Sequence, residues 1–315
     1  MADLPQRELG GLSVTMVGLG CNNFGRRVDL EGTRAVVDAA LDAGVNFLDT
    51  ADIYGGGGGS ETLLGEVLRG RRDEVVLASK FGMDMGESGP SVRPRGSRAY
   101  IREAIDGSLR RLQTDVIDLY QYHRPDGETP IEETLRALDE LVKAGKVRYI
   151  GCSNFSAAQL DEAAGAAREN GFESFVSLQN EYSLLKRDIE ADVVPKCEQL
   201  GVAVLPYFPL ASGLLSGKYR RGEDAPAGTR PHGRPQVADD ETFDRLEAAE
   251  RFARRRGVEL IDVAIAGLAA QPMVASVIAG ATKPEQVRAN AAAVRWSPGP
   301  EDLEELDSIF PTPRR

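Results

Sequence analysis

The chain has 315 residues, 42% hydrophobic and 28% charged, which is ordinary globular usage with material for a sizeable core. Its 38 Lys and Arg against 49 Asp and Glu give a formal net charge of −11, a field that repels nucleic-acid backbones and anionic lipid. Binding to nucleic acid or to a membrane surface is thereby disfavoured, and an anionic ligand must rely on local donors.

Residues 7–14, with Gly10-Gly11 in the middle, read as a small hairpin. Short runs rich in Val, Ile and Leu then follow at 15–20, 46–50, 75–80, 116–123, 147–154, 175–180, 202–206 and 274–280. Amphipathic stretches predict helices at 30–43, 61–69, 98–112, 130–144, 156–169, 187–200, 241–270 and 284–293. Ser156 reads as an N-cap, Thr129-Pro130 as a cap followed by an N1 proline, and Gly44, Gly145, Gly171, Gly201 and Gly257 as helix stops. The stretch 212–240 reads as a long loop, and 301–307 as an acidic tail before Pro311 and Pro313.

A parallel neighbour needs a crossover helix, so eight strand–helix units predict a parallel sheet, and eight strands can close. The expectation is an α/β fold: one (β/α)8 TIM barrel spanning 1–315, with an N-terminal hairpin and long loops at the C-terminal mouth. An open doubly wound sheet is the rival, but Gly18-Leu19-Gly20-Cys21-Asn22-Asn23 lacks the third glycine of its dinucleotide fingerprint. Cys21, Cys152 and Cys197 are scattered, with no CxxC pair and no His cluster; they read as reduced thiols of a cytoplasmic protein with no metal site. No secretory signal is evident, and no stretch approaches the ~18 apolar residues that span a bilayer.

In such a barrel catalytic groups sit at the C-terminal ends of different strands. Reading off those ends gives Asp49 with Tyr54 five residues on, Lys80, His123, Ser153-Asn154 and Gln179-Asn180. Each charged residue alone has an ordinary structural explanation; together at consecutive strand ends they point to carbonyl reduction. Hydride arriving at a carbonyl carbon leaves an alkoxide that needs a proton and a stabilising donor. A phenol titrates near pH 10. An adjacent ammonium is expected to lower that value, a carboxylate to hold the ammonium, and His123 to orient the substrate oxygen.

The runs Asn46-Phe47-Leu48-Asp49-Thr50-Ala51-Asp52-Ile53-Tyr54-Gly55, Leu77 to Gly82, Ile117 to His123, Ile150 to Phe155, Ser177 to Tyr182 and Gly280 to Gln286 resemble the signature blocks of the aldo-keto reductase family. They cover nearly the whole chain in the expected order, in the branch that is similar to bacterial aldo/keto reductases and potassium-channel beta subunits. The resemblance implies a catalytic tetrad of Asp49, Tyr54, Lys80 and His123. It implies an NADP(H) site at the barrel mouth, with NAD(H) second, and reversible reduction of aldehydes or ketones to alcohols. Ser153, Asn154 and Gln179 match positions that hold the nicotinamide carboxamide, and Tyr207 the aromatic against which the ring stacks. Phe208, Pro209, Leu210, Ala211, Gly213 and Lys218 match the loop over the pyrophosphate, with Arg230 as a further phosphate contact. Gly280, Thr282, Gln286 and Asn290 match the adenosine end; Gly20, Cys21 and Asn22, beside Asp49, match the nicotinamide ribose.

Two departures stand out. Many members of the family carry Lys and Arg where this chain has Gly280 and Gln286, which weakens the preference for a 2′-phosphate. The run Gly55 to Gly59 is longer than usual and reads as a flexible rim beside Tyr54. The loops 81–98, 124–129 and 212–240 are the candidates for substrate selection, while His232 reads as a surface residue. The resemblance favours a monomer acting on a small carbonyl compound. The alternative is a cofactor-binding regulatory or accessory subunit with little turnover.

Overall fold

Residues 4–225 and 238–312 are described by the computed structural model. β1 (Gln6–Leu9) and β2 (Leu12–Thr15) pair antiparallel around Gly10, whose φ of 64° suits a residue without Cβ. Leu9, Leu12 and Val14 of this hairpin pack with Phe47, Ala78, Leu119, Leu205, Ala275 and Ile278, so it plugs one end of the structure behind it. Asn46 fixes that plug, accepting from the Thr15 N–H at 2.8 Å and donating to the Ser13 carbonyl at 2.9 Å.

Eight strands follow: β3 (Val17–Gly20), β4 (Phe47–Asp49), β5 (Val76–Phe81), β6 (Ile117–Tyr122), β7 (Val147–Ser153), β8 (Ser177–Gln179), β9 (Ala203–Val204) and β10 (Val277–Gly280). All run parallel in the order β10-β3-β4-β5-β6-β7-β8-β9. The two ends of that order meet. The Val204 N–H donates to the Met273 carbonyl at 2.7 Å, Ala275 to Val204 at 3.0 Å and Ile278 to Pro206 at 2.9 Å. The ring therefore closes, and the (β/α)8 expectation holds.

The helices are α1 (Leu30–Asp42), the single turn α2 (Tyr54–Gly57), α3 (Gly59–Val67), α4 (Arg98–Leu112), α5 (Ile131–Lys143), α6 (Ala157–Asn170), α7 (Val193–Leu200), α8 (Asp240–Arg256), α9 (Leu260–Ala269), α10 (Pro284–Ala293) and α11 (Pro300–Ile309). Asp29, Ser97 and Asp239 cap α1, α4 and α8, and Ser156 with Gln159 forms a capping box on α6. In α5, Leu135, Leu138 and Leu141 are buried on one face, each contributing about 1.5–3 kcal/mol by leaving water.

Three local expectations are corrected. The residue capping α5 is Pro130 itself; the Thr129 hydroxyl is taken by Asp126 at 2.8 Å. The stretch 241–270 is two helices, because Gly257 adopts φ 69° and ends α8. The acidic tail is helical: Pro300 sits in the first turn of α11, Asp302 accepts from the Gly299 N–H at 2.9 Å, and Leu306 and Phe310 are buried. Pro313 and the loop positions 226–237 lie outside the described residues. Among the described residues no helix is long and apolar enough to cross a membrane.

Candidate active site

Side chains in a strand alternate between two faces, and the inward face here runs from apolar to polar towards the strand ends. Phe47 is followed by Asp49, Ala78 by Lys80, Leu119 by Gln121 and then His123, and Ser177 by Gln179. The first members fill the barrel or line its wall; the second members meet at the mouth.

Asp49 is the hub. Its Oδ2 accepts from Lys80 Nζ at 2.6 Å, and its Oδ1 accepts from Gln179 Nε2 at 2.9 Å and Gln121 Nε2 at 3.2 Å. The ammonium also donates to the Thr50 carbonyl at 2.8 Å. Burial alone would pull Lys80 down, yet the Asp49 carboxylate and the Tyr54 phenol outweigh it, and the amine is held above its ordinary range.

Tyr54 opens the turn α2, its N–H bonded to the Ala51 carbonyl at 3.1 Å. Lys80 Nζ lies 5.1 Å from the centre of its ring, and His123 meets that ring edge-on, centroids 5.7 Å apart at 87°. The expectation of an acidified phenol is not met. Burial pushes the Tyr54 hydroxyl above its ordinary value, and the ammonium only partly offsets it. Tyr54 therefore keeps its proton at neutral pH.

His123 follows β6, its N–H bonded to the Phe81 carbonyl at 2.8 Å. Burial, then Lys80 and Arg124, push the imidazole down to about 3, so it is neutral. Its Nδ1 is buried without a hydrogen-bond partner among the described residues. An orphan acceptor costs less than an orphan N–H, which places the ring proton on Nε2.

These groups sit at the floor of a cavity of about 810 Å³, within the usual range for small-molecule sites. Gly20, Cys21, Asn22, Asp49, Ser153, Asn154, Gln179, Tyr207, Phe208, Pro209, Leu210, Gly213, Lys218, Gly280, Thr282, Gln286 and Asn290 all border it, as do Tyr54 and His123. Ala211 does not, and Lys80 stands fully buried behind Tyr54. Arg230 and His232 lie outside the described residues. Cys21 can contribute only backbone, since its thiol is buried, pushed up by burial and directed to the Leu19 carbonyl at 3.4 Å.

The three residues assigned to the carboxamide are linked through the Ser153 hydroxyl and the Gln179 backbone. Ser153 Oγ donates to the Gln179 carbonyl at 2.6 Å. Asn154 Nδ2 donates to Ser153 Oγ at 3.0 Å and to the His123 carbonyl at 2.9 Å, while Tyr207 donates to Asn154 Oδ1 at 2.9 Å. Asn154 itself has φ 60°, a conformation that Asn tolerates better than most residues. At the other end, Gln286 Oε1 accepts from the Thr282 N–H at 2.7 Å, leaving its amide nitrogen as a donor. Sequence reasoning did not single out Gln121, Arg27, Met83 or Arg124; the first holds Asp49 and the other three border the cavity.

The aldo/keto reductase family model matches residues 16–310. The chain belongs to the aldo/keto reductase family. It is 39% identical over 312 residues to the uncharacterized oxidoreductase YrpG of Bacillus subtilis (strain 168), covering 96% of this chain and 94% of that protein. It is 35% identical to a probable voltage-gated potassium channel subunit beta of Oryza sativa subsp. japonica (95% and 94%), and 33% identical to the aldo-keto reductase YhdN of B. subtilis (95% and 91%). For an aldo/keto reductase, membership implies an oxidoreductase that reduces carbonyl compounds with a nicotinamide cofactor.

Two buried carboxyl groups of this reductase, Glu61 and Asp52, do not border the cavity. Glu61 of α3 accepts from Arg111 at 2.8 Å and from Ser79 Oγ. Asp52 is fully buried, with neither carboxylate oxygen in a hydrogen bond of normal geometry among the described residues. Burial, and then the charge of Glu61, raise it well above its ordinary value of 3.8.

Proposed function

We propose that this aldo/keto reductase reduces aldehydes or ketones with NADP(H), and that Tyr54 delivers the proton to the substrate oxygen. The observation that carries the reading is the arrangement at the cavity floor: the Tyr54 ring has the Asp49-bound Lys80 ammonium 5.1 Å from its centre and His123 edge-on to it.

The donor set fits a dinucleotide. Amides line one part of the cavity, and the Oδ1 of Asn22 is buried there without a partner among the described residues; an amide complements a carboxamide in both donor and acceptor. Arg27, Lys218 and Lys283 border another part, and three cations in a chain of charge −11 suit a pyrophosphate and a 2′-phosphate.

Bound reduced nicotinamide supplies the hydride. Tyr54 gives its proton to the oxygen as negative charge develops there. Lys80, held charged by Asp49, stabilises the phenolate that Tyr54 becomes. His123 Nε2–H donates to the same oxygen and fixes its direction, and being neutral it does not compete as a proton donor. In the reverse direction, the same groups return the proton to Tyr54.

Calorimetric titration with NADPH and NADH, followed by a panel of aldehydes, ketones and sugars, tests the reading. Tyr54→Phe should lower turnover by about 10²–10⁴-fold while leaving NADPH affinity within about threefold. A Phe variant that kept the wild-type rate would remove Tyr54 from this role. The similarity to the rice channel subunit supports a second reading, an accessory subunit with bound cofactor. Tight NADPH binding without turnover on any carbonyl of the panel, together with a stoichiometric protein partner, would favour it.

A further inference from the structure

The cations around the cavity divide by the strand that carries them. Arg27 follows β3, Lys218 follows β9 and Lys283 follows β10, three neighbours in the closed ring. Arg124 follows β6, four strands from β10 in a ring of eight, and so stands on the opposite wall. It comes directly after His123 and borders the same space as Tyr54 and Met83.

Arg124 is exposed and forms no hydrogen bond or ion pair among the described residues. Some arginines of this acidic chain are engaged, Arg111 by Glu61 and Arg221 by three carboxylates, whereas Arg34, Arg102 and Arg168 are exposed and unpaired like Arg124 among the described residues. A single exposed arginine costs little in water, so its solitude alone carries nothing. Its position adds the second observation. Arg124 also borders an adjoining space of about 570 Å³ and, with Asn154 and Tyr207, forms the wall between the two. Its charge is felt at both His123 and Tyr207. In the adjoining space Lys186 is already paired with Asp188, and Glu181 repels anions. The place for an anionic group is therefore the junction, beside Arg124.

We propose that Arg124 selects substrate: the carbonyl compounds this protein prefers carry an anionic group, a carboxylate or a phosphate, bound by the Arg124 guanidinium while the carbonyl lies at Tyr54 and His123. A guanidinium fork matches either anion with two parallel N–H donors. The cations that would hold the cofactor's phosphates, Arg27, Lys218 and Lys283, lie on the other wall, which leaves Arg124 for the substrate. This inference rests on the proposed carbonyl reduction and adds no chemical step to it.

Matched pairs test it. 4-Carboxybenzaldehyde is compared with its neutral methyl ester, and glyceraldehyde 3-phosphate with glyceraldehyde, each with NADPH; the pair with the larger ratio identifies the anion. The anion-to-neutral ratio of kcat/KM should exceed about tenfold in at least one pair and shrink in about 0.5 M salt. Arg124→Gln should cut that ratio by about tenfold or more through KM, and Arg124→Lys should keep part of it. Ratios near one in both pairs, or a ratio that Arg124→Gln leaves within about twofold, overturn the assignment of Arg124. Absence of turnover on all four compounds has a different meaning: it removes the carbonyl reading, and this inference with it.

Discussion

The Lys80 ammonium lies 2.6 Å from the Asp49 carboxylate, and neither side chain is more than 3% exposed. Breaking such a pair from one side strands a charge in a medium that cannot solvate it. Lys80→Met should therefore cost about 3–5 kcal/mol in chemical denaturation, despite good shape replacement. The double change Lys80→Met with Asp49→Asn removes both charges and should recover much of that loss, while turnover stays abolished. Because Lys80 is held above its ordinary 10.5, its contribution is complete below that pH and fades only as pH rises through the higher folded value. A stability gap between wild type and Lys80→Met that closed between pH 7 and 9 would contradict this.

The neutral state of His123 makes a kinetic prediction. With its imidazole pushed down to about 3, His123 does not change charge near the ordinary histidine value of 6.5. The profile of kcat/KM for reduction, which reports the free enzyme, should be level from about pH 5 to 8. The alkaline limb belongs to Tyr54 and should fall above the ordinary phenol value of 10. A limb near pH 6.5 that vanished in His123→Gln would show that the histidine titrates after all.

How far these features could be read from the sequence depended on the range of the physics behind them. Period-two alternation is local, so Asp49, Lys80 and His123 were visible at strand ends. The same alternation pointed to Gln121, two residues before His123 and opposite Lys80 in register, but an amide in a strand draws less notice than a charge. α11 was hidden because five acidic residues between Glu301 and Asp307 masked the spacing that buries Leu306 and Phe310. The direction of the Tyr54 shift could not be read at all. It depends on how completely the folded chain excludes water from the phenol, a tertiary property that no neighbouring residue announces.

The glycine run beside Tyr54 forms a turn. Gly55, Gly56, Gly57 and Gly58 all take positive φ, from 74° to 103°. Their surroundings differ. A Cβ on Gly55 would fall 2.5 Å from the Ser60 nitrogen and 2.7 Å from the Phe24 carbonyl oxygen, both backbone atoms, whereas a Cβ on Gly56 meets nothing within 4 Å. Gly56→Ala should cost only the left-handed penalty of about 1–2 kcal/mol and keep turnover. Gly55→Ala must move the turn that carries Tyr54, and should lose kcat by at least about tenfold as well as stability. Equal kinetic parameters for the two variants would show that the turn does not position the phenol.

Asp52 offers the clearest test of linkage, because it is buried with neither oxygen well paired. Burial first, and Glu61 second, raise it well above the ordinary 3.8. Folding must keep a proton there that the unfolded chain gives up, so the site favours the native state fully below pH 3.8. That contribution is progressively lost as pH rises towards the folded value. Asp52→Asn removes the titration and keeps the shape. The Asn variant should thus melt higher than wild type at pH 7–8, by about 2–4 °C for each kcal/mol recovered, and the advantage should shrink towards pH 4. A variant less stable than wild type at pH 8 and equally so at pH 4 would mean that Asp52 is ionised in the folded protein, paired with Arg111 or Lys80 instead of holding its proton.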